Sequence, residues 1–177
     1  MTKAVRATKG SGNGVAVKEL GPNVLVSNHP VLSHKITILR SSTTRPETFR
    51  SVLREVTYHL GFEATSSLTT KPVSITVPTG KDGHMDYEGS KLVERAAMIP
   101  ILRSGLGMVD SMLELLPNAA IHHIGMYHVQ GQNPVLYYNK LPKKHITDVA
   151  YILDPVIATS ATVLSAISLL KKVRASG

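Results

Sequence analysis

The chain has 177 residues, 42% hydrophobic and 18% charged, which fits one soluble domain with a core of its own. It has no cysteine, so a disulfide framework and thiolate chemistry are excluded, and no apolar run approaches the roughly 20 residues a membrane helix needs. A net charge of +8 favours anionic partners, but the basic residues are scattered and the aromatics few (two Phe, six Tyr, no Trp), which disfavours nucleic acid and leaves phosphorylated small molecules open.

Residues 1–22 read as a flexible basic tail. Lys3, Arg6, Lys9 and Lys18 surround the linker-like Gly10-Ser11-Gly12-Asn13-Gly14. A transit peptide is the alternative reading of this tail, although serines and arginines are few for one; the lack of cysteine suits a cytoplasmic location, which is expected. The domain is then residues 23–177. His29 to Arg40 reads as either helix or strand. Pro46 sits where a first helical turn tolerates proline, and Phe49, Val52, Leu53, Val56 and Leu60 recur at helical spacing, with Gly61 as the expected end. Val73 to Val77 alternates as a short strand, and Pro78 to Gly83 supplies a turn.

Ala96 to Leu102 is nearly all apolar, the pattern of a strand buried on both faces. Arg103-Ser104-Gly105 follows, then a helix carrying Met108, Met112, Leu113 and Leu116 that closes at Pro117-Asn118. Ile121 to Met126 reads as a strand, Gly131 to Pro134 as a turn, and Val135 to Asn139 as its hairpin partner. Val149 to Leu153 is the last strand. After it come Asp154, a small hydroxylated turn, and a helix with Val163, Ile167 and Leu170 on one stripe. Strands alternating with helices give an α/β domain with a parallel sheet, whose core strands are 97–102, 121–127 and 149–154. No strand follows the final helix, so one sheet edge is expected to stay open unless further chain or another subunit covers it.

Ligands of open α/β sheets bind beyond the carboxyl ends of strands, and two such ends carry suitable chemistry. Arg103 can pair a diphosphate bidentately, with Ser104 and Gly105 leaving room for its oxygens. Asp154 can accept from sugar hydroxyls, and Thr159, Ser160 and Thr162 offer hydroxyls and N–H groups to a phosphate at a helix N-terminus. The competing reading makes Arg103 half of a surface ion pair and Asp154-Pro155 a helix-entry turn. Walker and dinucleotide fingerprints are absent. None of the eight histidines falls into metal-ligand spacing, and neither Ser104 nor Ser160 has an evident base for nucleophilic work.

Together these residues resemble the uracil phosphoribosyltransferase family over roughly residues 24–175. The resemblance rests on Asn28-His29-Pro30 with His34-Lys35, Phe62-Glu63-Ala64-Thr65, and Ile99 to Met108. It continues through Gly125-Met126-Tyr127, Tyr137 to Pro142, Asp154-Pro155 and Ala158-Thr159. It implies the type I phosphoribosyltransferase fold. It also implies conversion of uracil and phosphoribosyl diphosphate into UMP and diphosphate, with magnesium on the sugar diphosphate. GTP activates several members, and no residue here is assigned to it. Homo-oligomers form partly through a β-arm, placed here at 121–141. The resemblance makes Arg103 and Asp154 the catalytic pair. Arg103, Ser104, Gly105, His128, Asp154, Ala158, Thr159, Ser160, Ala161 and Thr162 become the phosphoribosyl diphosphate site, with no protein metal ligands.

The departures are local. Ser160 and Ala161 stand where the family has two glycines, His128 where it has an arginine, and Ser104 where alanine is common. The family's glycine-rich uracil segment has no counterpart within residues 1–177, so no residue is assigned to uracil. A C-terminally truncated or divergent member is therefore expected, either active or a non-catalytic homologue that binds phosphosugar or assembles with a complete paralogue.

Overall fold

The computed structural model describes residues 23–80, 83–127, 134–142, 147–158 and 160–175. The tail through residue 22, the hairpin turn at 131–133, His128 and Thr159 lie outside the described residues.

Two helices come first. The ambiguous His29–Arg40 stretch is helical: α1 spans Pro30–Arg40, with His29 as its N-cap, where Nδ1 accepts the Val31 N–H at 3.2 Å. Helix α2 spans Pro46–Thr65 and buries Val52, Leu53, Val56, Thr57 and Gly61. Gly61 does not end it. A Cβ at that position would lie 2.5 Å from Leu115 Cδ1 and 2.8 Å from Met112 Sδ, so the glycine lets α2 approach α3, which spans Leu106–Leu115.

Strands β1 (Thr70–Pro78) and β2 (His84–Leu92) then form a nine-pair antiparallel ribbon, from Thr70↔Leu92 to Pro78↔His84. Sequence reading found half of it and left β2 out. The ribbon is a sheet of its own, and among the described residues it does not pack extensively on another helix or strand.

The main sheet is built around β3 (Ala96–Leu102), five of whose seven residues are buried. Strand β7 (Val149–Leu153) runs parallel to it on one side, from Ala96↔Val149 to Pro100↔Leu153. On the other side lie β4 (Ala120–Ile121) and β5 (Ile124–Tyr127), also parallel. These are the expected 121–127 strand, interrupted at His122-His123. There the His122 N–H donates to the Met98 carbonyl, and the His123 carbonyl accepts from the Lys140 N–H. Strand β6 (Val135–Asn139) pairs antiparallel with β5 and completes the expected hairpin. Among the described residues β7 pairs only with β3, so its outer edge is open.

Alternation along β3 makes two cores. Met98 faces Leu53 of α2, Met108, Val109 and Met112 of α3, and Leu153. Ala97, Ile99 and Ile101 face the other way, with Ile124, Met126 and Ala166 of α4 (Ala161–Ala175). Helices thus cover both faces, as a parallel sheet requires. No helix among the described residues is long and apolar enough to cross a membrane.

Candidate functional site

Because β3 and β7 are parallel neighbours, their carboxyl ends lie side by side, and each feeds a turn and then a helix. The first turn is Arg103-Ser104-Gly105. It is tight: Gly105 N–H donates to the Ile101 carbonyl at 2.9 Å, Leu106 N–H to Arg103 at 3.2 Å, Gly107 N–H to Ser104 at 3.2 Å and Met108 N–H to Gly105 at 3.1 Å. Only glycine fits at 105. A Cβ would meet the Leu153 carbonyl oxygen at 2.2 Å, Ile101 N at 2.7 Å and Ile101 O at 2.9 Å, all backbone. The missing side chain therefore lets the turn lie against the end of β7. The Leu102–Arg103 peptide is cis.

Arg103 and Ser104 are exposed, and Asp154 is half-buried. The Ser104 hydroxyl donates to Asp154 Oδ1 at 3.1 Å, joining the two turns directly. Arg103 makes no ion pair with a described residue. Nor is Asp154-Pro155 the immediate entry to a helix, since α4 begins only at Ala161.

The second turn ends on Ser160, whose carbonyl accepts the Leu164 N–H at 2.9 Å and so opens α4. Its φ is +58°, the left-handed region. Ala161 is already helical. The two positions where the resemblance expects glycine thus differ: Ser160 bears the unusual backbone and Ala161 does not. Ala158 and Ser160 are exposed, while Ala161 and Thr162 are half-buried. Tyr127, which ends β5 on the same sheet edge, is exposed and sits 6.1 Å from the Tyr137 ring, centroid to centroid.

Chemically, this edge presents a guanidinium, a carboxylate held from one side, and the N-termini of two helices, α3 and α4. Partial positive charge at helix N-termini and a mobile guanidinium suit phosphate oxygens, and the carboxylate suits hydroxyls. Among the described residues no group of three or more His, Asp or Glu is placed to hold a metal ion.

The model of the uracil phosphoribosyltransferase family matches residues 26–176. The chain belongs to that family. A uracil phosphoribosyltransferase of Roseiflexus sp. (strain RS-1) is 40% identical over 154 residues, covering 86% of this chain and 72% of the relative. One from Fervidobacterium nodosum is 40% identical over 148 residues, covering 83% and 70%. Among solved structures, the AQ2163 protein from Aquifex aeolicus superposes with a TM-score of 0.73 at 28% identity, over 85% of this chain and 70% of that one. The α/β architecture is thus phosphoribosyltransferase-like.

Proposed function

We propose that the edge formed by residues 103–105 and 154–162 binds phosphoribosyl diphosphate, and that the reaction served is transfer of its ribosyl phosphate to uracil. The observation that carries this reading is the hydrogen bond from Ser104 to Asp154. It supports the reading because it joins the Arg103–Gly105 turn directly to the Asp154 carboxylate, so one ligand could reach both. Arg103 and the N–H groups of the first turn take the diphosphate, Asp154 takes the ribose hydroxyls, and Ala158 to Thr162 takes the 5-phosphate at the start of α4. His128 and Thr159 join the site on family resemblance alone.

In this mechanism uracil displaces diphosphate at the anomeric carbon, through an oxocarbenium-like state. The chain contributes charge for the departing diphosphate, through Arg103 and the α3 N-terminus, and alignment of the sugar through Asp154. Magnesium, when bound, would supply charge for the departing diphosphate and would be held mainly by the substrate's own oxygens, with the Asp154 carboxylate available to it. That fits a donor set of one carboxylate better than it fits a resident metal site. No residue between 1 and 177 is given to uracil.

The test is binding followed by turnover. Calorimetry with phosphoribosyl diphosphate and magnesium should show binding that Arg103→Ala weakens by about tenfold or more, without loss of thermal stability, because that side chain is exposed and unpaired with any described residue. UMP formation from uracil then separates a transferase from a homologue that only binds. The second reading has one observation in its favour, the left-handed backbone at Ser160 in the phosphate turn. Failure of the chain to bind phosphoribosyl diphosphate at all would end both.

We also propose that the chain self-associates through the β1–β2 ribbon rather than through 121–141, whose strands are already built into the main sheet. Val73, Ile75 and Val77 share one ribbon face with Met85 and Tyr87, and Ser74, Thr76, Asp86 and Glu88 share the other. Ile75 is 44%, Met85 53% and Tyr87 58% exposed. An isolated two-stranded ribbon is marginal in water, and a second subunit would cover that apolar face.

A further inference from the structure

The Ser104–Asp154 contact has a chemical asymmetry that bears on how the two halves of a ligand are sensed. A serine hydroxyl has a single proton to donate, whereas an ionised carboxylate only accepts. In this structure that proton goes to Asp154 Oδ1 at 3.1 Å. Yet Ser104 belongs to the other turn: it sits between Arg103 and Gly105, and its own carbonyl accepts the Gly107 N–H at 3.2 Å. The turn is held by its own backbone hydrogen bonds, Gly105 N–H to the Ile101 carbonyl and Gly107 N–H to the Ser104 carbonyl, so Ser104 Oγ can exchange partners by rotating about one bond while the turn stays in place.

We propose that Ser104 is a positioning residue that couples the anion subsite at 103–105 to the sugar subsite at Asp154. This rests on the phosphoribosyl diphosphate reading above and adds to it. With the site empty, the hydroxyl donates to one of the two Asp154 oxygens. When hydroxyls of a sugar donate to Asp154, the carboxylate is satisfied, and the Ser104 proton is released toward an anion on its own turn. When an anion occupies the turn first, the same proton moves to it and leaves both carboxylate oxygens open to a vicinal diol. Each ligand therefore favours the other, and no bond other than hydrogen bonds is made or broken. An alanine at 104 has no proton to pass and cannot couple the two. Coupling of this kind is reciprocal: the factor by which one ligand tightens the other is the same in both directions.

The experiment uses two separate probes, inorganic pyrophosphate and ribose 5-phosphate, each titrated calorimetrically into the full chain with magnesium, alone and in the presence of the other. The two probes repel as anions in every variant, so the informative quantity is the change in coupling between variants. The coupling factor should fall about fivefold in Ser104→Ala and return in Ser104→Thr, which keeps the hydroxyl. A purely structural role for Ser104 would change the separate affinities and leave the coupling factor alone. Equal coupling in the parent, Ala and Thr chains overturns the inference while leaving the site assignment intact. Absence of binding by either probe to the parent chain overturns the site assignment and the inference together.

Discussion

Replacing Ser160 with glycine should strengthen the phosphate turn, and the size of the gain follows from the backbone. Ser160 has a φ of +58°, where the Cβ of an L-residue crowds the following carbonyl at about 1–2 kcal/mol. Glycine adopts that backbone freely but loses more freedom on folding, at roughly 0.5–1 kcal/mol. The balance favours Ser160→Gly by about 0.5–1 kcal/mol, a rise in melting temperature of about 1–4 °C for a chain of this size. Ala161→Gly should act in the opposite direction. Ala161 is in regular helix at the start of α4, so glycine there relieves nothing and lowers helix propensity by up to about 1 kcal/mol. Paired urea denaturation of the two variants measures both signs. If the relaxed turn also aims its N–H groups better, ribose 5-phosphate should bind about two- to fivefold tighter to Ser160→Gly. A less stable Ser160→Gly, or two variants that move together, would refute the reasoning, because only one of the two positions has the unusual φ.

Gly105→Ala should destabilise by about 3 kcal/mol in urea, since its methyl would meet backbone atoms at 2.2–2.9 Å that cannot swing aside; an equally stable variant would contradict that packing. Ile75→Lys with Tyr87→Lys, both on the uncovered ribbon face, should convert an oligomer to monomer in light scattering without lowering the melting temperature of the monomeric domain, and an unchanged mass would remove the ribbon from the interface. Burial, and then the adjacent His123, hold the His122 imidazole below its ordinary value of 6.5, against a smaller upward pull from a backbone hydrogen bond to Lys140. The unfolded chain therefore takes up this proton first as pH falls below 6.5, so stability should decline from there toward the folded value, and His122→Phe should flatten that decline in urea midpoints.

The buried strand β3 was legible in the sequence because an unbroken apolar run bounded by Arg95 and Arg103 permits little else. The helices α2, α3 and α4 were legible from helical spacing. Strand β2 was not, because its residues bury almost nothing: Asp86 and Glu88 interleave with Met85 and Tyr87, and only pairing with β1 makes them a strand. Gly61 misled for a related reason. A glycine that ends a helix and one that admits a neighbouring helix look alike until Leu115 and Met112 are seen beside it. At the site, the chemistry of Arg103 and Asp154 was readable residue by residue, but the Ser104–Asp154 bond joins positions 50 apart and exists only once β3 and β7 lie side by side. The family's two glycines marked positions 160 and 161 alike, and only the backbone shows the left-handed φ at one of them, Ser160.

Strand β3 also has a history during synthesis. Its sequence Ala-Ala-Met-Ile-Pro-Ile-Leu leaves the ribosome well before Val149–Leu153, the partner that will cover one of its edges. In that interval it is an apolar segment with unpaired N–H and C=O groups, the kind of window that recruits other chains. Arg95 and Arg103 stand at its two ends, and Pro100 interrupts its donors, an arrangement that acts as a gatekeeper against such pairing. Arg103 would then serve the nascent chain as a solubilising charge before it serves any ligand. Its replacement would be felt in the yield of soluble protein as well as in binding.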